Sequence, residues 1–363
     1  MRLGLAYNQR PDVTDDRSSD LASPDNSALT ADEFVEWDEP STITAVERAL
    51  SVFGPVIRLE ATDDFAARLA DARVDLLFNM AEGFRGPSRE AHVPAIAEFL
   101  GVPYTASDPL TLCIALHKGR TKELLAQRGI PTAPFVLVES LDDLPRLRSA
   151  RGYPLFLKPA WEGSSKGISQ ANRVETPAAA MERTRYLLDA YHQPVVAESY
   201  LPGEEFTVSI FGNGAEASCL PLIRYRFHHL PAGALPIMGY EAKWEWDTPE
   251  AALDLLECPA GVVEPLAARI REVAVAAYRA LGCRDWGRVD VRLDAACVPH
   301  VVEVNPLPGI IPDPIANSCF PRAAATAGMT YDEMIQRVVQ VAWRRLNGSE
   351  LIIPEMARAE VAA

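Results

Sequence analysis

Nowhere among the 363 residues do about eighteen apolar side chains run without interruption, so no segment reads as a membrane span. The opening MRLGLAYNQR is also too short in apolar character for a secretory leader, and a cytoplasmic protein is expected. No GxxxxGK[ST] phosphate loop occurs in the chain. Its six cysteines, Cys113, Cys219, Cys258, Cys283, Cys297 and Cys319, include no CxxC pair, which argues against a zinc knuckle or a compact disulfide framework. Basic charge is in short supply too: 35 Lys and Arg stand against 50 Asp and Glu, a net charge of −15. A chain whose main task is to neutralise a nucleic-acid backbone or coat an anionic membrane is thereby disfavoured. What is present, 48% hydrophobic and 23% charged residues, is ordinary globular composition, and the length predicts two or three cores.

The pattern along the chain alternates strands and helices. A buried strand is expected at Leu3–Tyr7, then a polar loop from Asn8 to Pro40, a helix from Thr42 to Phe53, a strand at Val56–Leu59, a helix from Asp63 to Ala72 and an apolar run from Val74 to Asn79. Such alternation implies a parallel sheet of Rossmann-like type. The following loop, Glu82 to Glu90, sits where open α/β sheets bind ligands, and is equally compatible with a tight turn carrying solvated charges. One helix is expected from Asp108 to the Gly129-Ile130-Pro131 stop. A second unit runs through Phe135–Val138, LFLKPAWEGSSKGIS, a helix near Ala178–Ala190 and VVAES; a third begins at EEFTVSIFGNG and ends in two strands and an amphipathic helix near Tyr331–Leu346.

The most informative stretch is GRVDVRLDAACVPHVVEVNPLPG, residues 287–309. Two alternating runs flank a turn and predict a β-hairpin in which Asp290 faces Glu303 and Arg288 faces Asn305. Period-two geometry puts these four on one face and Val289, Val291, Val302 and Val304 on the other. Opposed carboxylates repel, and a hard cation would offset that repulsion. Asp, Glu and an amide oxygen form the oxygen-only set suited to Mg²⁺. The alternative is a solvated face whose charges are paired by Arg288 and Arg292. A second signal is Lys158 at a strand end followed by Gly163-Ser164-Ser165-Lys166-Gly167, whose backbone N–H groups and hydroxyls suit a phosphate cover or a plain hinge. A third is VVAESYLPGEEFTV, a strand, connector and strand carrying Glu198 and Glu205, fit for reading an adenine and a ribose or simply an ordinary crossover.

Taken in order, Lys118, Lys158 with the Gly-Ser-Ser loop, Glu198 to Glu205, and Arg288, Asp290, Glu303 and Asn305 resemble an ATP-grasp ligase of the D-alanine–D-alanine ligase branch, from about Leu76 to Val339. The resemblance implies an α/β fold with an N-terminal domain at 1–115, an α+β lid at 116–200, a catalytic domain at 201–346 and a tail at 347–363. It implies ATP and Mg²⁺ as cofactors, with Mn²⁺ as a substitute, and a homodimer. Lys118 and Lys158 would bind phosphates, Glu198 and the backbone of Tyr200 and Leu201 adenine, Glu205 ribose, and Val302 the adenine floor. Asp290, Glu303 and Asn305 match metal ligands; Arg288 and the Gly309 N–H match groups that stabilise an oxyanion; Ser164, with Ser165 in the same loop, matches the closure over phosphates. The implied chemistry joins a carboxylate, activated as an acyl phosphate, to an amine, with no nucleic-acid or membrane partner.

Departures from that family fall on the amino-acid pockets. Its N-terminal Gly-Gly-x-Ser-x-Glu element is replaced by AYNQRPDVTDDRSS, and its histidine-bearing loop by NMAEGFRG. Counting from Gly309, the serine that meets the second substrate's carboxylate falls on Pro314, and an active-site tyrosine falls on Trp244, although Lys243 is kept. Amide or dipeptide formation on amino-acid-type substrates other than D-alanine is therefore expected. D-alanine ligation, a non-catalytic ATP-binding module and transfer that stops at the acyl phosphate are the other readings. Candidate substrate groups are Glu82, Arg89, Lys243 and Trp244, with Arg85, Arg224, Arg226, His228 and His229 as charged loop positions that equally suit plain surface.

Overall fold

The computed structural model describes residues 1–11, 36–150, 152–247, 253–314 and 316–351. Most of the polar stretch expected from 8 to 40, and of the tail from 347, lies outside them. The chain divides into two compact units, Met1–Thr105 with Asp332–Ala363, and Ala106–Tyr331.

The first unit contains β1 (Leu3–Tyr7), α1 (Pro40–Leu50), β2 (Val56–Glu60), α2 (Phe65–Ala72), β3 (Leu76–Asn79) and α3 (His92–Leu100). Its three strands form a parallel sheet in the order β2-β1-β3, with Leu3 paired to both Val56 and Leu76. Leu3, Leu5, Leu76, Leu77 and Phe78 are fully buried, as continuous apolar runs covered by helices should be. Gly101 ends α3 in a left-handed conformation, φ 70°, that costs glycine little. The helix Tyr331–Asn347, expected as the end of a third domain, packs within this unit from Asp332 onward. Arg48 forks onto Asp332 at 2.7 and 3.3 Å, and Gln336 donates to the Ala49 carbonyl at 3.2 Å.

The second unit begins with α4 (Pro109–Leu116) and α5 (Lys118–Gln127). One continuous helix is expected here; the structure has two, because His117 adopts ψ 89° and leaves the helical region. Asp108 caps α4 by accepting from Thr111 N at 2.8 Å, with Pro109 in the first turn. The His117 ring likewise accepts from Arg120 N at the start of α5. Next come β4 (Phe135–Val138), β5 (Leu155–Pro159), β6 (Arg173–Val174), α6 (Pro177–Tyr191) and β7 (Val195–Ser199), whose strands form an antiparallel sheet, β4-β7-β5-β6.

A six-stranded antiparallel sheet completes the unit: β8 (Glu205–Phe211), β9 (Ser218–Cys219), β10 (Ile223–Tyr225), β11 (Leu256–Glu257), β12 (Trp286–Leu293) and β13 (Pro299–Asn305), in the order β11-β10-β8-β12-β13 with β9 beside β8. The helix α7 (Glu264–Leu281) contributes Ile270, Ala274 and Tyr278 to the same core as Val289, Val291, Val301 and Val304. Burying aliphatic side chains of this size stabilises by about 1.5–3 kcal/mol each. Helix α8 (Cys319–Thr326) follows the turn after β13.

The hairpin has the expected registers, Arg288 with Asn305 and Asp290 with Glu303. Beyond Asp290 the register shifts by one, so that Val291 faces Val301, Arg292 faces His300 and Leu293 faces Pro299. Val302 is the extra residue of this bulge. It does not join Val289, Val291 and Val304 in the core, as strict alternation requires; Val301 does, and Val302 stays half-buried.

Candidate active site

The metal-type face is built on β12 and β13. Asp290 is the centre of its hydrogen bonding: Arg288 donates to both carboxylate oxygens at 3.0 and 2.9 Å, Thr207 Oγ1 donates at 2.5 Å and Asn305 Nδ2 at 3.2 Å. Burial works against the Arg288 charge, but Asp290, the Tyr225 phenol and the Cys319 thiol raise its pKa and keep the guanidinium protonated. Glu303, opposite Asp290, is paired instead with Lys118, Nζ to Oε1 2.6 Å. Burial opposes ionisation of Glu303, yet Lys118, Lys158 and Arg288 outweigh it and hold its pKa below the usual carboxylate range. The two facing carboxylates thus each have a cation of their own, which offsets the repulsion expected of them. Arg288 fulfils the pairing role also foreseen for Arg292; Arg292 turns to Glu205 at 2.7 Å.

Do these groups suit a hard cation? With Nδ2 donating to Asp290, the Asn305 amide oxygen is the atom directed elsewhere, and only about a quarter of the Glu303 side chain is exposed. Among the described residues no three His, Cys, Asp or Glu gather as a metal group. Two carboxylates and an amide oxygen fit Mg²⁺, which takes few protein ligands and completes its shell with water and phosphate.

Lys118 reaches this face because the break at His117 puts it at the start of α5. Its N–H donates to Ala160 O at 2.9 Å and its ammonium to Glu162 O, tying it to the end of the β5 loop. Lys158, on β5, pairs with Glu198 Oε1 at 2.6 Å, and Lys122 pairs with Oε2 at 2.6 Å. Burial resists charge on Glu198, but the two ammonium groups overcome it and lower its pKa to about 2. Lys122, which is 1% exposed, is shifted down by its own burial. Sequence reasoning misses Lys122, although it lies four residues after Lys118 on one helical face.

The connector between β7 and β8 carries the nucleotide-type residues. Tyr200 N donates to Pro154 O at 2.9 Å, so a ligand read there would meet the Tyr200 carbonyl and the Leu201 N–H. Gly203 N donates to Leu293 O and Leu293 N to Glu204 O, both at 2.9 Å. A side chain at Gly203 would fall 2.6 Å from the Leu293 carbonyl oxygen, so this close approach requires glycine. Burial raises the Glu205 pKa, an effect that Arg292 counters and Asp290 reinforces.

The Gly-Ser loop is held shut against residues 235–245. Ser165 Oγ donates to Met238 O at 2.7 Å, the Trp244 indole to Ser164 O at 3.1 Å, and Lys243 Nζ to Ser164 Oγ at 3.3 Å. Ser164 and Ser165 both have positive φ, 45° and 65°, which is uncommon outside glycine and marks a strained turn. Trp244→Phe keeps an aromatic ring and removes the donor. Faster limited proteolysis between residues 161 and 170 is the expected result; an unchanged cleavage rate would mean that the indole does not secure this loop.

After Asn305, a Cβ added at Gly309 would meet open space, and Gly309 has no positive φ. Neither packing nor backbone conformation demands glycine there. The hydroxyl beside this turn is that of Ser318, eight residues before the end of α8, accepting from Ile311 N at 3.1 Å and donating to Gly309 O at 3.3 Å. Pro314, where the count from Gly309 falls, has no hydroxyl; Ser318 is the hydroxyl that bonds to this turn.

In the first unit, Arg89 is committed to Glu36 by two hydrogen bonds of 3.1 and 2.9 Å, both side chains being over nine-tenths buried. Burial, with Glu90, Glu36 and Asp38 nearby, raises the Glu82 pKa well above normal, while Arg89 opposes that shift. Arg85 lies over the Phe84 ring at 5.1 Å. Of the remaining loop charges, Arg224 pairs with Glu257 and Glu204, and Arg226 with Asp254, which is the surface-charge outcome. His228 and His229 contact each other edge to face at 4.3 Å.

Residues 124–340 match the family described as "D-ala D-ala ligase C-terminus". A D-alanine–D-alanine ligase of Cupriavidus necator is 32% identical over 290 residues, 80% of this chain and 82% of that protein. The chain belongs to the D-alanine–D-alanine ligase family. An uncharacterized protein of Sinorhizobium fredii, y4sG, is 34% identical over 281 residues, 76% of this chain and 77% of that protein. The fold agrees: the D-alanine–D-alanine ligase of Bacillus anthracis, solved in complex with ATP, superimposes with a TM-score of 0.68 at 22% identity, covering 95% of this chain and 98% of that one. This is the ATP-grasp architecture of an ATP-dependent ligase family, whose cofactors are ATP and Mg²⁺. Among the described residues, no helix is long and apolar enough to cross a membrane.

Proposed function

We propose that this D-alanine–D-alanine ligase-family chain is an ADP-forming ligase that joins a carboxylate to an amine, with amino-acid-type substrates other than D-alanine. The carrying observation is the single face on which Lys118 meets Glu303 at 2.6 Å and Arg288 meets Asp290 at 2.9 Å. Lys118 and Lys158 bind the phosphates, Ser164 and Ser165 close over them, and Glu198, Tyr200, Leu201, Glu205 and Val302 surround the nucleoside. Asp290, Glu303 and Asn305 hold Mg²⁺, which disperses phosphoryl charge when bound. A substrate carboxylate oxygen attacks the γ-phosphorus of ATP, and the bond to the β-γ bridging oxygen breaks, giving an acyl phosphate and ADP. The amine then adds to the acyl carbon, and phosphate leaves with the original carboxylate oxygen. Arg288 and the Gly309 N–H offset negative charge on the tetrahedral oxygen.

In this reading residues 116–200 form the lid, and Glu82, Arg89, Lys243 and Trp244 belong to substrate recognition, with Arg89 acting through Glu36. Ser318 replaces Pro314 as the hydroxyl for an acceptor carboxylate. A cytoplasmic homodimer is part of the proposal; native mass measurement tests its stoichiometry. D-alanine itself is the second reading, favoured by the names of relatives such as that of C. necator. ADP release over a matrix of acids and amines, D-alanine included, tests both. Release that needs both partners and carries ¹⁸O from labelled carboxylate into phosphate supports ligation. Turnover with D-alanine alone would establish the second reading, and ATP binding without release for any pair would replace both with a non-catalytic module.

A further inference from the structure

Arg292 has no role in the set that the family resemblance supplies, yet it is among the most fully engaged side chains of the site. It is 5% exposed and faces Glu205 across the β8–β12 ladder. Its Nε donates to the Leu201 carbonyl at 2.7 Å, Nη1 to Glu205 Oε2 at 2.7 Å and Nη2 to the Tyr200 hydroxyl at 3.3 Å. The guanidinium carbon lies 5.3 Å from the Tyr200 ring centroid and 5.6 Å from that of Phe227. All three nitrogens therefore serve the connector or the carboxylate that follows it, and two aromatic rings contact the guanidinium. The next residue, Leu293, is bonded to Gly203 and Glu204, which fixes the strand beneath the connector.

We infer that Arg292 is a positioning residue for the nucleoside: its fork locks the Glu205 carboxylate and the Tyr200–Leu201 backbone into one rigid unit that receives the ribose. With Oε2 held by Arg292, the planar carboxylate presents Oε1 in one fixed direction, as an acceptor for a sugar hydroxyl. Lysine cannot reproduce this, since a point charge lacks the planar fork that serves a carbonyl and a carboxylate together. An ion pair that merely fills space would leave recognition of the sugar untouched. The inference rests on the nucleotide reading above.

Isothermal titration of the full chain with Mg²⁺ and either ATP or 2′-deoxy-ATP separates the two ideas and needs no knowledge of the other substrates. The wild-type protein is expected to bind ATP more tightly than 2′-deoxy-ATP. Arg292→Gln should weaken ATP by about tenfold, the loss of a charge-assisted contact. It should weaken 2′-deoxy-ATP less, so that the preference shrinks. Arg292→Lys, which keeps the charge, should recover only part of the loss. In the Glu205→Gln background the further loss from Arg292→Gln should be small, because the two act as a unit. If Arg292→Gln does not fold, the lysine variant and Glu205→Gln carry the comparison. Wild-type affinity in the variants, or equal weakening of both nucleotides, overturns the inference. Failure of the wild-type protein to bind ATP overturns the nucleotide reading and this inference with it.

Discussion

Glu303→Gln, once an acid and amine pair is in hand, is expected to slow ADP release by roughly a thousandfold, the kinetic equivalent of the several kcal/mol of charge stabilisation a bound cation supplies. The fold should survive, since Glu303 lies on a partly exposed hairpin face and its neighbour Lys118 retains the Glu162 carbonyl as an acceptor. Asp290→Asn should lose a similar factor and also some stability, because Arg288 and Thr207 both donate to that carboxylate. A thermal melt beside a Mg²⁺ titration of turnover separates the two effects. Unchanged turnover in Glu303→Gln would remove the metal assignment of the hairpin.

The other large effect centres on Glu198. Deleting the carboxylate with Glu198→Leu leaves Lys122 and Lys158 buried without their shared counter-ion, and a loss of about 3–5 kcal/mol in unfolding free energy is expected. Urea denaturation at neutral pH measures it. Wild-type stability should follow the same group in acid. The folded-state pKa is about 2, against an ordinary value of 4.5. The carboxylate's contribution, on the order of 3 kcal/mol, is therefore complete above pH 4.5 and is lost as pH falls from there toward 2. The Glu198→Leu protein should show a shallower decline across that window. An equally steep decline in both proteins would show that the triad does not govern acid stability, and a loss under 1 kcal/mol at neutral pH would show that the lysines find other partners.

The hairpin was legible because its chemistry is local: a short turn and two alternating runs fix the pairing of Asp290 with Glu303 once the turn is placed. The bulge was not, since Val301, Val302 and Val304 are equally good strand residues and nothing in their identity marks the extra one. The break at His117 was hidden for a similar reason, as neither glycine nor proline announces it. Lys122 was within reach, because the i, i+4 spacing from Lys118 shares a helix face, but its partner Glu198 lies 76 positions further on. The hydrogen bonds of Ser318 to Gly309 and Ile311 depend on how the turn after Gly309 folds back, which spacing along the sequence does not show. The parallel sheet of the first unit was readable from its apolar runs, whereas the pairing of Arg89 with Glu36 depends on a fold-level approach of two loops.

The bulge also bears on what a deletion would do. Remove Val302, and Asp290 still faces Glu303 while Val291 still faces Val301, so the ladder keeps every pair and becomes an uninterrupted hairpin with perfect alternation. Strand pairing alone gives this residue no work. The extra link lengthens one strand against its partner beside the metal-type carboxylates, and a shortened chain should fold with its hairpin intact while losing the half-buried surface that Val302 supplies.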